Sequence, residues 1–365
     1  MVVGALGSLS IGAAAVFGVQ AATIPTAVVG QASPAQNASA PAYFVPGHRP
    51  GVSSGTFGGT SSSTGTTTTA STAQQVGIVE INTVLQYQNA EAAGTGMVLT
   101  SDGEVLTNNH VVDGATSVRV TISSTGATYT ATVAGTDPTA DVAVLQLSDA
   151  SGLQTAKLST AAATVGESVT GVGNAGGTGT LTAATGTVTA LDQSITASGE
   201  TGGDAEQLSG LIEIDAAIQA GDSGGPLYGD DATIIGMDTA ASSGGPADAY
   251  AIPIATAKAI AGQIESGVDN ATIHQGNPAF LGVSMSDGTA GATVAGALSG
   301  GAAEGAGITA GDVITSVDGT AVSSADDLSS LLAGYSPGDR VTVTWTTAAG
   351  ASESAPVTLG TGPAD

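Results

Sequence analysis

The sequence contains no cysteine. That absence excludes disulfide frameworks, thiol nucleophiles and zinc–thiolate sites together, although it leaves the compartment open. Three histidines are too few for a His-rich metal centre, and neither a metal nor a cofactor is expected. Cations are nearly as scarce: five Lys and Arg stand against 31 Asp and Glu, giving a net charge of −26. Affinity for nucleic acid depends on basic residues releasing counterions from phosphate, so nucleic acids and anionic membrane surfaces are poor partners for this chain. Aromatic residues make up 3% of the sequence and charged residues 10%, so the core must be built from Val, Ile, Leu and Ala. The hydrophobic fraction is 41% and clustered, which assigns the negative charge to the solubility of a folded surface rather than to disorder. A length of 365 residues accommodates roughly two domains of about 150 residues with connecting sequence.

No charged side chain occurs from Met1 to Pro46. Val2 to Ala22 is apolar and long enough to cross most of a ~30 Å hydrocarbon core. Residues 1–29 therefore read as a membrane anchor or a signal segment, with Val19-Gln20-Ala21 as a small-residue cleavage site; a disordered apolar tail is the alternative. Residues 30–75 are rich in Ser, Thr, Gly and Pro, including the run Thr60 to Thr69, and read as a disordered linker because such a composition buries too little apolar surface.

From Val76 onward, short β-branched runs recur every ten or so residues: Gly94–Leu99, Glu104–Thr107, Ser117–Ile122, Ala131–Ala134, Val142–Leu147, Ser168–Val172, Gly186–Leu191, Leu211–Ile214, Ile234–Thr239 and Ala249–Ile252. Gly, Asp and Asn turns separate them, the pattern of an antiparallel sandwich or barrel. Ala255 to Ser266 is the first helical stretch, with Gly267 as its stop. A third unit begins near Phe280: Ser324 and Asp327 form a capping-box-like start to a helix bearing Leu328, Leu331 and Leu332. In the strand that follows, Val341, Val343 and Trp345 point one way and Thr342 and Thr344 the other. This unit is a small α+β module.

The most specific string is Gly221-Asp222-Ser223-Gly224-Gly225-Pro226-Leu227. A serine hydroxyl is a poor nucleophile unless a base takes its proton and donors await the oxyanion. A Gly-flanked turn can aim consecutive backbone N–H groups at one point. Of the three histidines, His48 lies in the linker and His274 in the connection before the last module, so neither is expected to be held in place. His110 remains, expected at the end of a strand in Leu106-Thr107-Asn108-Asn109-His110. An imidazole acting as base also needs an orienting carboxylate. Asp141, at the start of the apolar strand Val142–Leu147, has the setting of a buried one, whereas Asp137 before Pro138 reads as a turn residue.

Thr107-Asn108-Asn109-His110-Val111-Val112, Ala140-Asp141-Val142-Ala143-Val144-Leu145 and Gly221 to Leu227, followed by the α+β module, resemble the HtrA (DegP/DegS-like) trypsin-fold serine proteases. The resemblance spans roughly residues 76–360. It implies a mostly β fold, with a trypsin-like double β-barrel over residues 76–268 and a PDZ domain over 278–362. It implies His110 as general base and acid, Asp141 as its orienter and Ser223 as nucleophile, with the oxyanion hole at Gly221, Asp222 and Ser223. Asp222 stands where the family more usually has Asn. Separations of 31 residues from His110 to Asp141 and 82 from Asp141 to Ser223 suit two successive barrels. By the same resemblance the primary specificity pocket involves Ala217, Ile218 and Thr239. With no carboxylate six residues before the serine, cleavage after small or medium apolar residues is expected. Leu281-Gly282-Val283 matches the carboxylate-capturing loop of a PDZ domain, and Gly307 to Ile314 its following turn and strand; Gly300 to Ala306 is looser than the family's usual turn.

The expected function is that of an extracytoplasmic serine endopeptidase, membrane-anchored or secreted, acting on unfolded proteins. Its PDZ domain would bind substrate or activator C-termini, and the resemblance implies a homotrimer. A PDZ-containing binding or chaperone-like protein with a vestigial site is the alternative, opposed by the intact His110, Asp141 and Ser223. An acidic low-complexity surface adhesin would account for the linker and the charge but not for the three motifs.

Overall fold

A computed structural model describes residues 67–86, 90–197, 206–241, 249–267, 270–287 and 291–364. The apolar segment 1–29 and His48 lie outside these residues. Among the described residues no helix is long and apolar enough to cross a membrane.

Six antiparallel strands form a first barrel: β2 (Ile78–Leu85), β3 (Ala90–Val98), β4 (Glu104–Thr107), β5 (Ser117–Ile122), β6 (Thr128–Asp137) and β7 (Val142–Leu147). They pair in the order β6-β5-β2-β3-β4-β7, and a β6–β7 pairing closes the ring. A second barrel repeats the plan with β8 (Ser168–Gly173), β9 (Thr182–Ala197), β10 (Glu206–Ile214), β11 (Pro226–Tyr228), β12 (Ile234–Ala241) and β13 (Ala249–Pro253), closed by a β8–β9 pairing. Closure removes the unpaired strand edges that an open sheet exposes.

Strand alternation explains how so few aromatics suffice. On β7, Ala143, Leu145 and Leu147 fill the first barrel, while Val142 and Val144 face outward. Those outward residues join Leu106, Met97, Val172, Met237 and Ile252 in a cluster shared by the two barrels. Both faces of such strands are buried, so they read as continuous apolar runs. Helix α2 (Ile254–Glu265) closes this cluster with Ile254, Ala257, Ala261 and Ile264.

Three expectations are corrected. The linker ends earlier than expected: β1 (Thr67–Thr69) pairs with β9, Ala70 is buried, and Tyr228 Oη donates to Gln74 O at 3.0 Å. Residues 67–75 thus belong to the second barrel, attached largely through backbone bonds that composition does not reveal. His110 sits in the short helix α1 (Asn109–Val112), just after β4 rather than on it. His274 is held after all, on β14 (His274–Gln275), which pairs with β6 at Thr136 and Gly135; its side chain is exposed.

The last module has a sheet in the order β16 (Val283–Asp287), β17 (Ala292–Ala297), β18 (Val313–Val317), β20 (Arg340–Thr346) and β21 (Ser352–Thr358), with β19 (Thr320–Ala321) on β18. Helices α3 (Ala302–Ala306) and α4 (Ala325–Leu332) pack on it. Ser324 caps α4, its Oγ accepting from Asp327 N at 3.0 Å. Leu328 and Leu332 join Val341, Val343 and Trp345 in the core, as the alternation requires. β15 (Ala279–Phe280) and β22 (Gly360–Thr361) form a two-stranded ribbon. Beyond it the chain reaches the first barrel, where Gly114 N donates to Ala364 O at 2.8 Å and Ala364 N to Ala115 O at 3.1 Å.

Candidate active site

The two barrels meet at a set of polar side chains buried among apolar ones. Asp141 follows a 3-10 turn, Pro138–Ala140, and adopts a left-handed conformation with φ of 55°. Its neighbour Asp137 caps that turn, its carboxylate accepting from Ala140 N at 3.2 Å and Thr139 Oγ1 at 2.7 Å. Asp137 is therefore the turn residue expected from its place before Pro138. Asp141 instead points at α1: its Oδ1 accepts from His110 N at 3.0 Å, and its two oxygens lie 3.0 and 2.9 Å from His110 Nδ1. Asn108 Nδ2 donates to Asp141 O at 2.9 Å and fixes the backbone behind it.

A carboxylate so placed makes Nδ1 the protonated nitrogen of a neutral imidazole and leaves Nε2 its lone pair. The side chain of Asp141 is 2% exposed and that of His110 15%: the carboxylate is sealed and the ring remains within reach of solvent.

Ser223 comes from the second barrel, in the turn between β10 and β11. Its Oγ donates to Thr239 O at 3.3 Å, while Thr239 Oγ1 donates to Asp141 Oδ2. One residue of β12 thus holds the serine with its carbonyl and the carboxylate with its hydroxyl. The first barrel grips the same turn from the other side. Thr95 N donates to Ser223 O at 2.9 Å, Thr95 Oγ1 to Gly221 O at 2.8 Å, and Thr107 Oγ1 to Thr95 O at 2.7 Å. Gly224 has φ of 81°, and a Cβ there would collide with Thr95 O and Thr107 Oγ1; only glycine lets the two barrels approach so closely.

Of the three residues expected at the oxyanion hole, Asp222 is excluded as a donor, because its N–H is spent on Gln219 O at 3.0 Å. Among the described residues the N–H groups of Gly221 and Ser223 meet no protein acceptor. Asp222 Oδ2 accepts from Gln219 N at 2.9 Å, and burial pushes its carboxyl up to about 6. Asp238, fully buried on β12, lies well above the usual carboxylate range, through burial first and then through the charge of Asp222. Among the residues expected at the specificity pocket, Ala217 is half-buried and Ile218 buried. Thr239 is also buried, and its hydroxyl is committed to Asp141 rather than to a pocket.

In the last module, Leu281, Gly282 and Val283 line a cavity of about 230 Å³ together with Leu328 and Leu332 of α4. Gly282 has φ of 78°, and β16 lies at the free edge of its sheet. Among the described residues no cluster of three or more His, Asp or Glu could hold a metal ion.

Residues 94–237 match the trypsin-like peptidase domain and residues 279–348 the PDZ domain. The two matches describe a trypsin-like peptidase domain followed by a PDZ domain. The chain is 35% identical over 305 residues to the serine protease PepD of Mycobacterium tuberculosis, covering 78% of this chain and 63% of that one. It is 35% identical over 253 residues to the periplasmic serine endoprotease DegP of Escherichia coli, covering 66% and 51%. The chain therefore spans about half to two-thirds of the length of these relatives. A crystal structure of the serine endoprotease from Yersinia pestis aligns over 80% of this chain at 23% identity, with a TM-score of 0.45. The peptidase match covers α1, the 3-10 turn before Asp141 and the Ser223 turn; the PDZ match covers the cavity beneath α4.

Proposed function

We propose that the protein is an extracytoplasmic serine endopeptidase that hydrolyses peptide bonds of unfolded proteins. The observation that carries this reading is the chain of contacts from His110 through Asp141 and Thr239 to Ser223, assembled across two barrels. His110 Nε2 takes the Ser223 Oγ proton as the oxygen attacks the scissile carbonyl carbon. The imidazolium that forms is stabilised by Asp141, which stays ionised, and the tetrahedral oxyanion is received by the N–H groups of Gly221 and Ser223. The proton then passes to the leaving amine, the C–N bond breaks, and water activated by the same imidazole hydrolyses the acyl-enzyme.

Ala217 and Ile218 favour cleavage after small or medium apolar side chains, and a dominant Lys or Arg preference in a cleavage-site profile would overturn this. The PDZ cavity supports capture of C-terminal peptides, which add a strand to β16 while their last side chain enters beside Leu328. The test of the main reading is hydrolysis of unfolded casein by the full chain. Ser223→Ala should lower turnover by roughly 10⁴–10⁶; equal rates for both proteins would refute the mechanism.

A further inference from the structure

N–H groups that receive an oxyanion are effective only if they already point at one place, so what fixes them matters as much as their presence. A trans peptide unit is planar, with its C=O and N–H directed oppositely. Each donor is therefore aimed by whatever holds the carbonyl of its own unit. The Ser223 N–H shares its unit with Asp222 O, which accepts from Gly225 N at 2.8 Å, a bond internal to the turn. The Gly221 N–H shares its unit with Ala220 O, and that carbonyl is held from outside the turn, by Gly176 N at 2.8 Å. The unit between them is fixed on both sides: Asp222 N donates to Gln219 O at 3.0 Å, and Gly221 O accepts from Thr95 Oγ1 at 2.8 Å.

The two outside anchors converge on one hydroxyl. Gly176 belongs to the 3-10 turn Ala175–Gly177, which follows β8 and lies against Gly221, where a Cβ would come within 2.3 Å of Asn174 O. Gly177 N on Asn174 O and Gly179 N on Asn174 Oδ1, each at 2.8 Å, close that turn. Asn174 N in its own right donates to Thr95 Oγ1 at 2.9 Å. Thr95 is fully buried on β3. A hydroxyl has one proton to give and lone pairs to accept with; this one gives its proton to Gly221 O and accepts from Asn174 N. The Thr95 main chain is committed to the same seam, its N donating to Ser223 O and its O accepting from Thr107 Oγ1.

We propose that Thr95 is a positioning residue for the oxyanion donors, its hydroxyl clamping the Asn174 turn and Gly221 in one register so that Gly176 keeps the Gly221 N–H directed at the substrate carbonyl. Without the hydroxyl, Asn174 N and Gly221 O lose their common partner inside the seam, where no water replaces it. The Asn174 turn then shifts relative to the Ser223 turn, and the Ala220–Gly221 unit leaves Gly176 N, a rotation that Gly221 permits with its φ of 94°. Both donors belong to the second barrel, yet the first barrel supplies the aim of one of them. The catalytic consequence rests on the peptidase reading; the clamp itself is a property of the fold.

Kinetics and crystallography of the full chain test it. Thr95→Val keeps the shape and removes the hydroxyl. Deleting an oxyanion donor outright costs about 10²–10³ in kcat, so misdirecting one should lower kcat on casein about 10–100-fold, with KM changed less than about twofold. Thr95→Ser keeps the hydroxyl and should hold kcat within about threefold of the parent's. If Thr95→Val does not fold, Asn174→Ala, which releases Gly179 N and loosens the turn, should lower kcat with the same sparing of KM; an unchanged kcat there would overturn the proposal. So would a Thr95→Val enzyme with the parent's kcat, a loss carried by KM alone, or a Thr95→Ser enzyme as slow as Thr95→Val. In crystals of the Ser223→Ala protein, adding Thr95→Val should part Ala220 O from Gly176 N, and an unmoved peptide would also overturn the clamp. A moved peptide in a protein whose parent hydrolyses nothing would refute the peptidase reading and leave the clamp standing.

Discussion

The first barrel and the second each bury carboxyl groups at the site, and they treat them in opposite ways. Asp141 accepts from His110 N, from the His110 ring and from Thr239 Oγ1. Asp222 and Asp238 are buried about as deeply, yet three of their four oxygens meet no donor. Burial penalises a charge in both places; only the supply of donors differs. The same residue type is therefore met by donors in one barrel and left short of them in the other, where burial raises both carboxyls. The division suits the chemistry, since an imidazolium needs an anion beside it, whereas a turn that receives an oxyanion is better without a second negative charge beneath it.

The largest effect should come from removing the anion that the donors maintain. Asp141→Asn keeps the shape but offers an amide to Nδ1 and favours the wrong tautomer, so kcat should drop about 10⁴-fold while the fold persists; a loss under tenfold would show that Asp141 does not orient His110. Thr239→Val should cost roughly 1–3 kcal/mol of stability by withdrawing a donor from a buried carboxylate, read from the urea midpoint, and should lower kcat/KM as well.

The raised carboxyls of Asp222 and Asp238 predict a stability that depends on pH. A carboxyl whose folded-state value is raised binds its proton more tightly when folded, so the stabilisation is complete below about pH 4 and is lost as pH rises through the folded values. For Asp222 that window runs from the ordinary value near 3.8 up to about 6, and for Asp238 it extends higher. Urea midpoints should therefore decline across this range in the parent protein, and Asp222→Asn should flatten the decline. The smallest effect is expected far from the seam. Ser324→Ala removes the α4 cap and should cost the PDZ domain about 1 kcal/mol, measured by its thermal midpoint, with casein hydrolysis by the full chain unchanged.

His110, Asp141 and Ser223 were legible in the sequence because each sits in a string whose residue types suit its task. The supporting donors were not. Thr95 and Thr239 are two among many threonines, and their value comes from strands that lie far apart along the chain. β2, Ile-Val-Glu-Ile-Asn-Thr-Val-Leu, mixes polar and apolar residues on both faces and so shows no clean alternation, although its partners β3 and β5 bury most of it. α1 has four residues, too short to show a helical period, which hid the true position of His110. Asp238 looked like any strand aspartate; only the second barrel's closure seals its carboxyl away from solvent and donors.

Thr95 and Thr107 hold the Ser223 turn from one barrel while Thr239 holds Asp141 from the other. A site stitched in both directions has no half-competent form, because opening either barrel withdraws residues that the other requires. Loss of the site should then accompany opening of the fold in one step rather than by degrees.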